Sequence, residues 1–501
     1  MILGDLLRGI ETKQILGPKH IEILGISYNS KEVRDGFLFV AVEGGKKDGH
    51  EYLKSAMENG ARALLVERVP DNQLGDVSII QVEDTRSSLA HVSANFFGHP
   101  TKELALVGVT GTNGKTTITY LLESIWQEEK KNAGIIGTVE YRFLGKKLPS
   151  PMTTPESLDL MRLFFDMRNS GIECVAMEVS SHALDRQRVL GCHFDAAVFT
   201  NLTQDHLDYH RTMENYFNAK KRLFTEILER SEKKKKFSVI NFDDPNGREI
   251  AKEAAGEIVS YSCGSREAMI YVEEGQITPR GIWAILQTPW GKIELNSQFY
   301  GRHNLSNLLA ATATALSLGA SKRAVEAGIS KLASVPGRLD RVENSLGITV
   351  LVDYAHTPDA LYNVLNAVKP FTSGNLILVF GCGGDRDPVK RPIMGKIGRE
   401  ISDILIVTSD NPRTESPEEI IDQIEKGVSE AGCDEKPYFK LTNRRDAIRR
   451  AIEIGMEGDT VIIAGKGHEN YQVIGEKKLP FDDKEEARIA MEEKGRAGKN
   501  A

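Results

Sequence analysis

The stretch LALVGVTGTNGKTT, from Leu104 to Thr117, decides how this chain folds. An apolar, strand-like segment comes first and a glycine-rich turn follows it. A helical pattern then places apolar side chains at Ile118, Leu121, Leu122, Ile125 and Trp126. The glycines allow successive N–H groups to point at one anion, and the beginning of the helix adds the positive end of its dipole. The stretch therefore predicts a strand, a loop and a helix that bind a nucleoside triphosphate.

The glycine spacing of this loop departs from the common G-x-x-x-x-G-K-[ST] pattern, because Val109 stands where the first glycine belongs. Gly108 and Gly111 flank that position instead. We expect Lys115 to bring a full positive charge to the outer phosphates and the Thr116 hydroxyl to bind Mg²⁺. The residues predicted to hold the nucleotide here are Gly111, Thr112, Asn113, Gly114, Lys115, Thr116 and Thr117.

The composition limits the classes of protein to which the chain can belong. Its 501 residues predict about three domains, and 40% hydrophobic with 27% charged residues is typical of a soluble globular protein. The net charge of −7 gives no general attraction for nucleic acid. No apolar stretch approaches the ~20 residues that span a bilayer, and charges interrupt the N-terminus, so we expect neither membrane insertion nor a signal peptide. Five cysteines without C-x-x-C or zinc spacing predict a reducing compartment, the cytoplasm.

Two breaks divide the chain into three predicted domains, 1–99, 100–335 and 336–501. They lie at His99-Pro100 and at Val335-Pro336-Gly337. Strands and helices alternate in each block, which predicts the α/β class with parallel sheets covered by helices. We expect a small α/β N-terminal domain, a central P-loop ATPase-like parallel sheet and a Rossmann-like C-terminal domain. The run Lys233–Lys236 is predicted to be a solvated loop, and the charged tail after Glu486 is predicted to fray.

Polar side chains follow several predicted strands of the central block. Glu178 ends the strand Cys174–Val179, where a carboxylate can hold magnesium beside the phosphate loop. His206, in a loop with Asp205, Asp208 and His210, is open to two interpretations, a neutral metal ligand or part of a polar loop with a helix cap.

Two further groups of polar residues lie on the helices of this block. Composition alone predicts that Lys220 lies on a solvated basic face. Asn304 and Asn307, one helical turn apart, either read a nucleobase or serve as an N-cap and a surface residue.

Three strand-end loops of the last block carry charges that suit a zwitterionic substrate. They are Gly381–Asp387, Ser409–Arg413 and Ala464–Glu469. Arginine binds carboxylates bidentately and glutamate accepts an ammonium group, although glycine and Asn-Pro also make these loops plain tight turns. Nearer the domain boundary, Arg338 is placed to close on a triphosphate.

Taken in order, these motifs resemble the Mur ligase family of peptidoglycan biosynthesis over nearly the whole chain. The matching segments are Asn29-Ser30-Lys31, GVTGTNGKTT, Thr153-Thr154-Pro155, EVSSHAL, FTNLTQDHLDYH, GRHNLSN, VPGRLDRVE, DYAHTPDAL, GCGGDRD, SDNPRTE and AGKGHE. The resemblance implies an ATP-dependent amide ligase that adds meso-diaminopimelate to the D-glutamate of UDP-MurNAc-L-Ala-D-Glu through an acyl phosphate. It implies small-molecule substrates and an N-terminal domain that binds the UDP moiety, and we expect a monomer.

The resemblance also implies a role for individual residues. Lys115, Glu178, His206 and Lys220 are expected to be catalytic, with Thr116, Glu178, His206 and a carbamylated Lys220 at the magnesium ions. Asn304, Arg338 and Asp353 are expected to contact ATP. The expected contacts of the UDP-linked dipeptide are Ser30, Thr153, Thr154, Ser180, Arg186 and Arg188, and Met152 and Arg186 depart from residues found in some relatives. The expected diaminopimelate pocket is Arg386, Asp410, Asn411, Pro412, Arg413, Gly465 and Glu469.

The sequence Asp410-Asn-Pro-Arg413 accompanies selection of meso-diaminopimelate in that family. Diaminopimelate differs from lysine by one carboxylate, and Arg413 is the cation that would meet it. The alternatives are a lysine-adding ligase, a folylpolyglutamate synthase and, from another class, a regulatory NTPase. The segment around Ser30 argues against the synthase. A regulatory NTPase would give no function to the arginine-bearing loops of the last block.

Overall fold

A computed structural model describes residues 1–44, 47–70, 76–278, 281–433 and 435–500, with backbone alone at 497–500. Its three main sheets follow one another along the chain. The first has five strands in the order β1-β5-β4-β3-β2, and all pairs are parallel except β1 with β5. Its strands are β1 (Gln14–Leu16), β2 (Gly25–Ser27), β3 (Phe37–Val40), β4 (Ala61–Val66) and β5 (Ser78–Gln81), and its helices are α1 (Leu3–Leu6), α2 (Leu53–Glu58) and α3 (Thr85–Phe96).

The central sheet has eleven strands in the order β16-β15-β14-β13-β12-β11-β6-β10-β7-β8-β9. The strands from β7 to β14 in this order are parallel, and the outer ones are antiparallel. The strands are β6 (Ala105–Thr110), β7 (Ala133–Ile136), β8 (Tyr141–Phe143), β9 (Lys146–Leu148), β10 (Cys174–Glu178), β11 (Ala196–Phe199), β12 (Phe237–Asn241), β13 (Glu257–Ser262), β14 (Ile270–Thr278), β15 (Gly281–Gln287) and β16 (Ile293–Ser297). The helices are α4 (Lys115–Glu128), α5 (Ser157–Asn169), α6 (Ser181–Asp185), α7 (Leu207–His210), α8 (Met213–Arg222), α9 (Pro245–Ala251), α10 (Arg302–Ser317) and α11 (Lys322–Lys331).

The third sheet has six strands in the order β17-β18-β22-β19-β20-β21, parallel except for β17. Its strands are β17 (Asp340–Arg341), β18 (Thr349–Asp353), β19 (Leu376–Phe380), β20 (Ile404–Thr408), β21 (Tyr438–Leu441) and β22 (Thr460–Ala464), and a hairpin adds β23 (Tyr471–Ile474) and β24 (Lys477–Pro480). The helices are α12 (Pro358–Val368), α13 (Lys390–Ile401), α14 (Pro417–Glu430), α15 (Arg444–Ile454) and α16 (Asp483–Asn500).

Helices on both faces explain why the central strands are buried on both sides and mainly apolar. Alternate residues of a strand point to opposite faces, so Val107 and Val109 of β6 join one hydrophobic core while Leu106 joins the other. Each predicted block contains one of the three sheets, and the boundaries at residues 99 and 335 remain predictions. Among the described residues, no helix combines the length and the apolar composition that a membrane crossing requires.

One expectation about a charged segment is wrong and another holds only in part. The tail does not fray after Glu486, because α16 continues through it and packs Ala487, Ala490 and Met491 into the core of the third sheet. These three side chains recur at helical spacing among charged neighbours, which is why composition alone misses them. The run Lys233–Lys236 is a loop with Lys234 and Lys235 exposed, as predicted, but Lys233 is not solvated, since its Nζ lies 2.9 Å from the carboxylate of Asp195 and also donates to the carbonyl of Leu104.

A buried ion pair fixes the beginning of α16 to the third sheet. The guanidinium of Arg444 donates to both carboxylate oxygens of Asp483 at 2.7 and 2.6 Å, and both side chains are fully buried. A second N–H of Arg444 bonds the carbonyl of Ala464 at the end of β22. Because removal of one partner leaves the other charge buried without compensation, this pair should control local stability.

We predict that Asp483→Ala lowers the free energy of opening of the third sheet by about 3–5 kcal/mol. Hydrogen exchange of the amides in β18, β19 and β22 measures this quantity. The matched control is Glu485→Ala on the same helix, whose ion pair with Arg488 is exposed to solvent and whose loss should leave the exchange rates nearly unchanged. Equal, small losses in the two variants would contradict the structural role of the buried pair.

Candidate active site

The predicted phosphate loop connects β6 to α4, and its backbone requires glycine at two points. Gly111 has φ +146° and Gly114 has φ +92°, both in the region that favours glycine. A Cβ at Gly111 would lie 1.8 Å from Oγ1 of Thr200, and one at Gly114 would lie 2.3 Å from Oδ1 of Asn307. The loop is therefore packed closely between its neighbours, with the beginning of a 14-residue helix behind it.

Lys115 folds back over this loop. Its Nζ donates to the carbonyls of Gly111 at 2.9 Å and Thr112 at 2.8 Å. Burial lowers the pKa of the amine. The charge predicted to meet the outer phosphates is thus held at the loop by backbone oxygens.

Glu178 lies at the end of β10 and is 1% exposed, so this strand-end glutamate does not face solvent. Its carboxylate accepts from the hydroxyl of Thr116 at 2.9 Å, and from both the backbone N–H and the hydroxyl of Thr138 at 2.9 Å. A buried carboxylate requires such partners. The strand end and the helix start are joined through this one side chain.

The third sheet reaches the loop through Arg338. Its Nη2 donates to the hydroxyl oxygen of Thr116 at 3.0 Å. Asp353, at the end of β18, accepts from the N–H groups of Leu339 and Ala355 at 2.7 Å and so fixes the segment that carries Arg338. Arg338, which the resemblance predicts to contact ATP, therefore reaches the phosphate loop from the third predicted domain.

Lys220 is buried, and the solvated-face prediction for it is wrong. It is 1% exposed, and its Nζ donates to the carbonyl of Gly111 at 2.8 Å, the same oxygen that Lys115 contacts. Burial and the neighbouring Lys115 lower the pKa of the Lys220 amine well below its usual value. The helix continues after Lys220 as a π-helical turn, Leu223–Ile227, a feature often found at functional sites.

His206 is the N-cap residue of α7 and has a left-handed backbone, φ +56°, but its side chain makes no capping hydrogen bond. Its Nε2 lies 3.2 Å from the carboxylate of Asp205, and a second imidazole, His356 of the third block, lies 3.9 Å from the same carboxylate. Burial lowers the pKa of His206 to about 3, so the ring is neutral at pH 7. His206 therefore lies at a helix cap position and also has a neutral imidazole. These features fit both interpretations, a polar loop with a helix cap and a neutral metal ligand.

Two adjacent cavities lie at this edge of the sheets. The first, about 370 Å³, is lined by the loop from Thr112 to Thr117 and by Glu178, His206, Asn304, Asn307, Arg338 and Asp353. The second, about 630 Å³, is lined by Arg386, Asp410, Asn411, Arg413, Gly465 and Glu469. The residues that line both cavities are Thr138, Thr153, Asp205, His206, Tyr354 and His356.

Asn304 and Asn307 are buried in the first cavity rather than displayed on the surface. Nδ2 of Asn307 donates to Oδ1 of Asn304 at 3.1 Å, as their spacing of one turn predicts. Nδ2 of Asn304 donates to the carbonyl of Tyr300 at 2.8 Å. The surface alternative for this pair is therefore wrong.

The second cavity contains two arginines without an anionic partner. Arg413 has φ +53°, and its Nη1 donates to the carbonyl of Gly384 at 2.6 Å. Among the described residues, no carboxylate lies within 4 Å of the guanidinium of either Arg413 or Arg386. Burial and the charge of Arg386 lower the pKa of Arg413. Arg413 is half-buried without an anionic partner in the described part of the chain and the exposed Arg386 lies beside it, an arrangement that favours an anionic ligand.

Lys466 contacts residues of this cavity's wall and was not predicted from the sequence. It is fully buried, and its Nζ lies 3.1 Å from Oε2 of Glu469 and 3.2 Å from Oδ1 of Asn411. Oε2 of Glu469 also accepts from Nδ2 of Asn411 at 2.8 Å. The sequence signal was available, since Lys466 stands in the same glycine-rich turn, three residues before Glu469.

The predicted contacts of the UDP-linked dipeptide are more dispersed. Thr153 lines both cavities and Ser180 lines the first, while Thr154 lies behind them and donates to the backbone carbonyl of Glu178 at 2.9 Å. Arg188, also behind, bonds the carbonyl of Thr154 at 3.1 Å and pairs with Glu156 at 2.7 Å. The predicted residues outside the lining of both cavities are Ser30, Gly111, Thr154, Arg186, Arg188, Lys220 and Pro412.

The two departures from the family pattern have defined surroundings. Met152 lines the second cavity, and its carbonyl accepts from the hydroxyl of Tyr141. Nε of Arg186 donates to the hydroxyl of Tyr209 at 3.2 Å, away from both cavities. Arg186 therefore has a structural partner of its own.

The oxygen atoms at the loop suit a hard cation. The hydroxyl of Thr116 and the carboxylate of Glu178 adjoin the phosphate loop, and oxygen is the ligand that Mg²⁺ prefers. Within the described part of the chain, no group of three or more histidine, cysteine, aspartate or glutamate side chains is close enough to hold a metal by itself. A magnesium ion here would therefore depend on phosphate oxygens as well.

Comparison with known proteins identifies the family. Models described as "Mur ligase family, catalytic domain", "Mur ligase middle domain" and "Mur ligase, glutamate ligase domain" match residues 22–97, 109–315 and 337–467. UDP-N-acetylmuramoyl-L-alanyl-D-glutamate–2,6-diaminopimelate ligases of Geobacter metallireducens and Geobacter sulfurreducens are 46% and 45% identical to the chain, and each alignment covers 98% of it and 99% of the relative.

Solved structures agree with these matches. A structure of a UDP-N-acetylmuramoyl-L-alanyl-D-glutamate–2,6-diaminopimelate ligase is 33% identical, has a TM-score of 0.70 and covers 99% of both chains. The MurF ligase of Thermotoga maritima in complex with ADP, 21% identical over 95% of this chain and 98% of its own, shares the fold with a TM-score of 0.63. These likenesses confirm the predicted three-domain α/β fold class, and the chain belongs to the Mur ligase family.

Proposed function

We propose that this chain is an ATP-dependent amide ligase that adds meso-diaminopimelate to the D-glutamate of UDP-MurNAc-L-Ala-D-Glu, a step of peptidoglycan synthesis. The observation that carries the proposal is the wall shared by the two cavities. One cavity contains a phosphate loop and the other contains unpaired arginines, and Thr153 and His206 line both. The similar Geobacter proteins carry diaminopimelate in their names, which favours the same amino acid here.

The reaction that fits this arrangement proceeds in two steps. The γ-phosphoryl group forms a bond to a carboxylate oxygen of D-glutamate while its bond to ADP breaks. The amine of diaminopimelate then forms the amide bond, loses a proton and displaces phosphate. The chain contributes mainly position and charge, as is usual for phosphoryl transfer.

Named residues have defined tasks in this proposal. The loop N–H groups and Lys115 bind the phosphates, and Arg338 brings the third domain onto them through Thr116. Asn304 and Asp353 complete the nucleotide site, and the dipeptide lies along Thr153 and Ser180, with its uridine moiety towards Ser30. Thr116 and Glu178, together with the neutral imidazole of His206, would hold Mg²⁺, which neutralises phosphate charge when bound.

We also infer that Lys220 is carbamylated. Its amine is buried and shares the carbonyl of Gly111 with Lys115, so two ammonium groups would repel one another there. Reaction of the uncharged amine with CO₂ forms an N–C bond and releases a proton, which replaces a cation by an anion. The modified side chain would attract Lys115 and support a bound cation.

In the second cavity, Arg413 and Arg386 bind the distal carboxylate of diaminopimelate, the group that lysine lacks. Glu469 offers Oε1 to an ammonium group, because Lys466 and Asn411 both contact Oε2. Asp410, Pro412 and Gly465 shape the pocket around them. All five cysteines are free thiols, in keeping with the cytoplasm as the proposed compartment, and we propose that the enzyme acts as a monomer.

Phosphate release tests the proposed function. The chain is supplied with ATP, Mg²⁺ and the UDP-linked dipeptide, and meso-diaminopimelate or L-lysine is added separately. We expect release that depends on both the dipeptide and diaminopimelate. Release that depends on lysine would still agree with a Mur ligase, but it would reject the assignment of the second cavity to diaminopimelate. Release that ignores the dipeptide and both amino acids would contradict the ligase and favour a regulatory NTPase.

Arg413→Ala is expected to raise KM for diaminopimelate by about 100-fold, because the bound carboxylate would bury its charge pair with Arg413 and loss of one partner of such a pair costs roughly 3 kcal/mol. Binding of ATP and of the dipeptide, measured by calorimetry, should not change. Arg488→Ala, which removes an exposed guanidinium of α16, is the control. Unchanged affinity for diaminopimelate in Arg413→Ala would reject the role of this arginine.

Lys220→Ala is expected to lower kcat by about 10²–10³-fold, the effect of losing one electrostatic group at a phosphoryl-transfer site. Acetate or formate should restore part of the activity, because the missing group is an anion. Lys221→Ala is the matched control, since the adjacent Nζ pairs with Glu253 instead of entering the site. Full activity of Lys220→Ala, or rescue by ammonium compounds in place of carboxylates, would contradict carbamylation.

A further inference from the structure

A buried lysine that the mechanism above does not use lies on the wall of the second cavity. Lys390 is the first residue of α13, is 5% exposed and lines that cavity. Within the described ranges, its Nζ makes no hydrogen bond and has no carboxylate within 4 Å. The stem of Lys390 is buried while its ammonium group faces the cavity without a protein partner among the described residues, so this position favours an anion that binds there.

The groups that face Lys390 place it near the junction of the two cavities. Its charge contributes to a lower pKa of Asp205 and His356, which line both cavities. It also opposes the rise that burial causes in the pKa of the Cys382 thiol. Asp387, three residues before Lys390, is occupied elsewhere, since its carboxylate accepts from Gln204 at 3.3 Å and from the N–H of Val389 at 2.9 Å. Asp205 itself is shared between His206 and His356.

The distribution of other cations indicates which anion Lys390 meets. Lys115 and Arg338 lie at the phosphate loop, where the nucleotide phosphates bind. Arg386 and Arg413 lie at the far loops of the second cavity, where a carboxylate of the amino acid binds. The anion that forms between these two groups is the phosphoryl group after it has left ADP and joined the D-glutamate carboxylate.

We propose that Lys390 is a catalytic residue whose ammonium group binds the phosphoryl oxygens of the acyl phosphate at the junction of the cavities. This inference rests on the proposed ligase function. In the first step the P–O bond to ADP breaks as the P–O bond to the carboxylate forms, and the charge moves toward Lys390. In the second step the N–C bond forms, the C–O bond breaks and the amine loses its proton, while Lys390 stabilises the departing phosphate and keeps its own protons.

The partial reaction without amino acid separates this role from its alternatives. ATP labelled with ¹⁸O in the β,γ-bridge is incubated with the dipeptide and Mg²⁺, and dipeptide-dependent movement of the label out of the bridge reports reversible acyl-phosphate formation. The variants are Lys390→Gln and Lys390→Arg. Lys396→Gln is the matched control, since this lysine is exposed on the same helix.

For Lys390→Gln we expect label movement and kcat to fall by about 10²-fold, with KM for diaminopimelate unchanged. Lys390→Arg, which keeps the charge, should regain a measurable part of both rates, and Lys396→Gln should match the wild type. Normal label movement with a raised KM for diaminopimelate in Lys390→Gln would overturn the proposal and assign Lys390 to the amino-acid carboxylate. Loss of ATP binding or of the folded state in both Lys390 variants would overturn it in favour of a structural counter-ion to Asp205.

Failure of the proposed function gives a different result. In that case the wild-type chain would show no dipeptide-dependent movement of the label. The wild-type measurement therefore tests the ligase, and the comparison between variants tests Lys390.

Discussion

The hydrogen bond from the Thr116 hydroxyl to the Glu178 carboxylate, 2.9 Å long, connects the parts of the chain that meet at the site. A carboxylate that is 1% exposed requires hydrogen bonds in place of water, and Thr138 supplies two more from the neighbouring strand end. Thr116 accepts in turn from Arg338, which belongs to the third block. The buried carboxylate of Glu178, with all its hydrogen bonds made, therefore holds together the phosphate loop and two strand ends. Through Thr116 it also helps to position Arg338 of the third block.

Parallel strands explain why so much chemistry collects at one place. The loops at the carboxyl ends of the central and third sheets face each other, and their polar residues line two cavities with a common wall. Charge is arranged in the same order as the proposed reaction. Lys115 and Arg338 lie at the end where we propose that the triphosphate binds, and Arg386 and Arg413 lie at the other end. Asp205 and the neutral imidazoles of His206 and His356 lie between them.

Much of the fold could be predicted from periodicity, and much of the site could not. The strand, loop and helix start within Leu104–Thr117 and the strand Cys174–Val179 were predicted to within one residue, because apolar runs between turn signals depend on local sequence. The burial of Lys220 depends instead on a loop more than 100 residues away in sequence, so composition indicated a solvated face and only the family resemblance indicated a function. Lys390 and Lys466 were missed for the same reason, since a lysine is buried only where tertiary structure supplies a cavity or a partner.

A crystal structure with a non-hydrolysable ATP analogue and meso-diaminopimelate tests the central claim, that the two cavities receive the nucleotide and the amino acid on either side of one wall. The claim predicts terminal phosphates against the N–H groups of Gly114 to Thr116, and the distal carboxylate of diaminopimelate within hydrogen-bond distance of Arg413. It also predicts that the reacting amine points toward His206 and Asp205. Nucleotide bound in the arginine-lined cavity, or diaminopimelate bound with no carboxylate near Arg413, would contradict it.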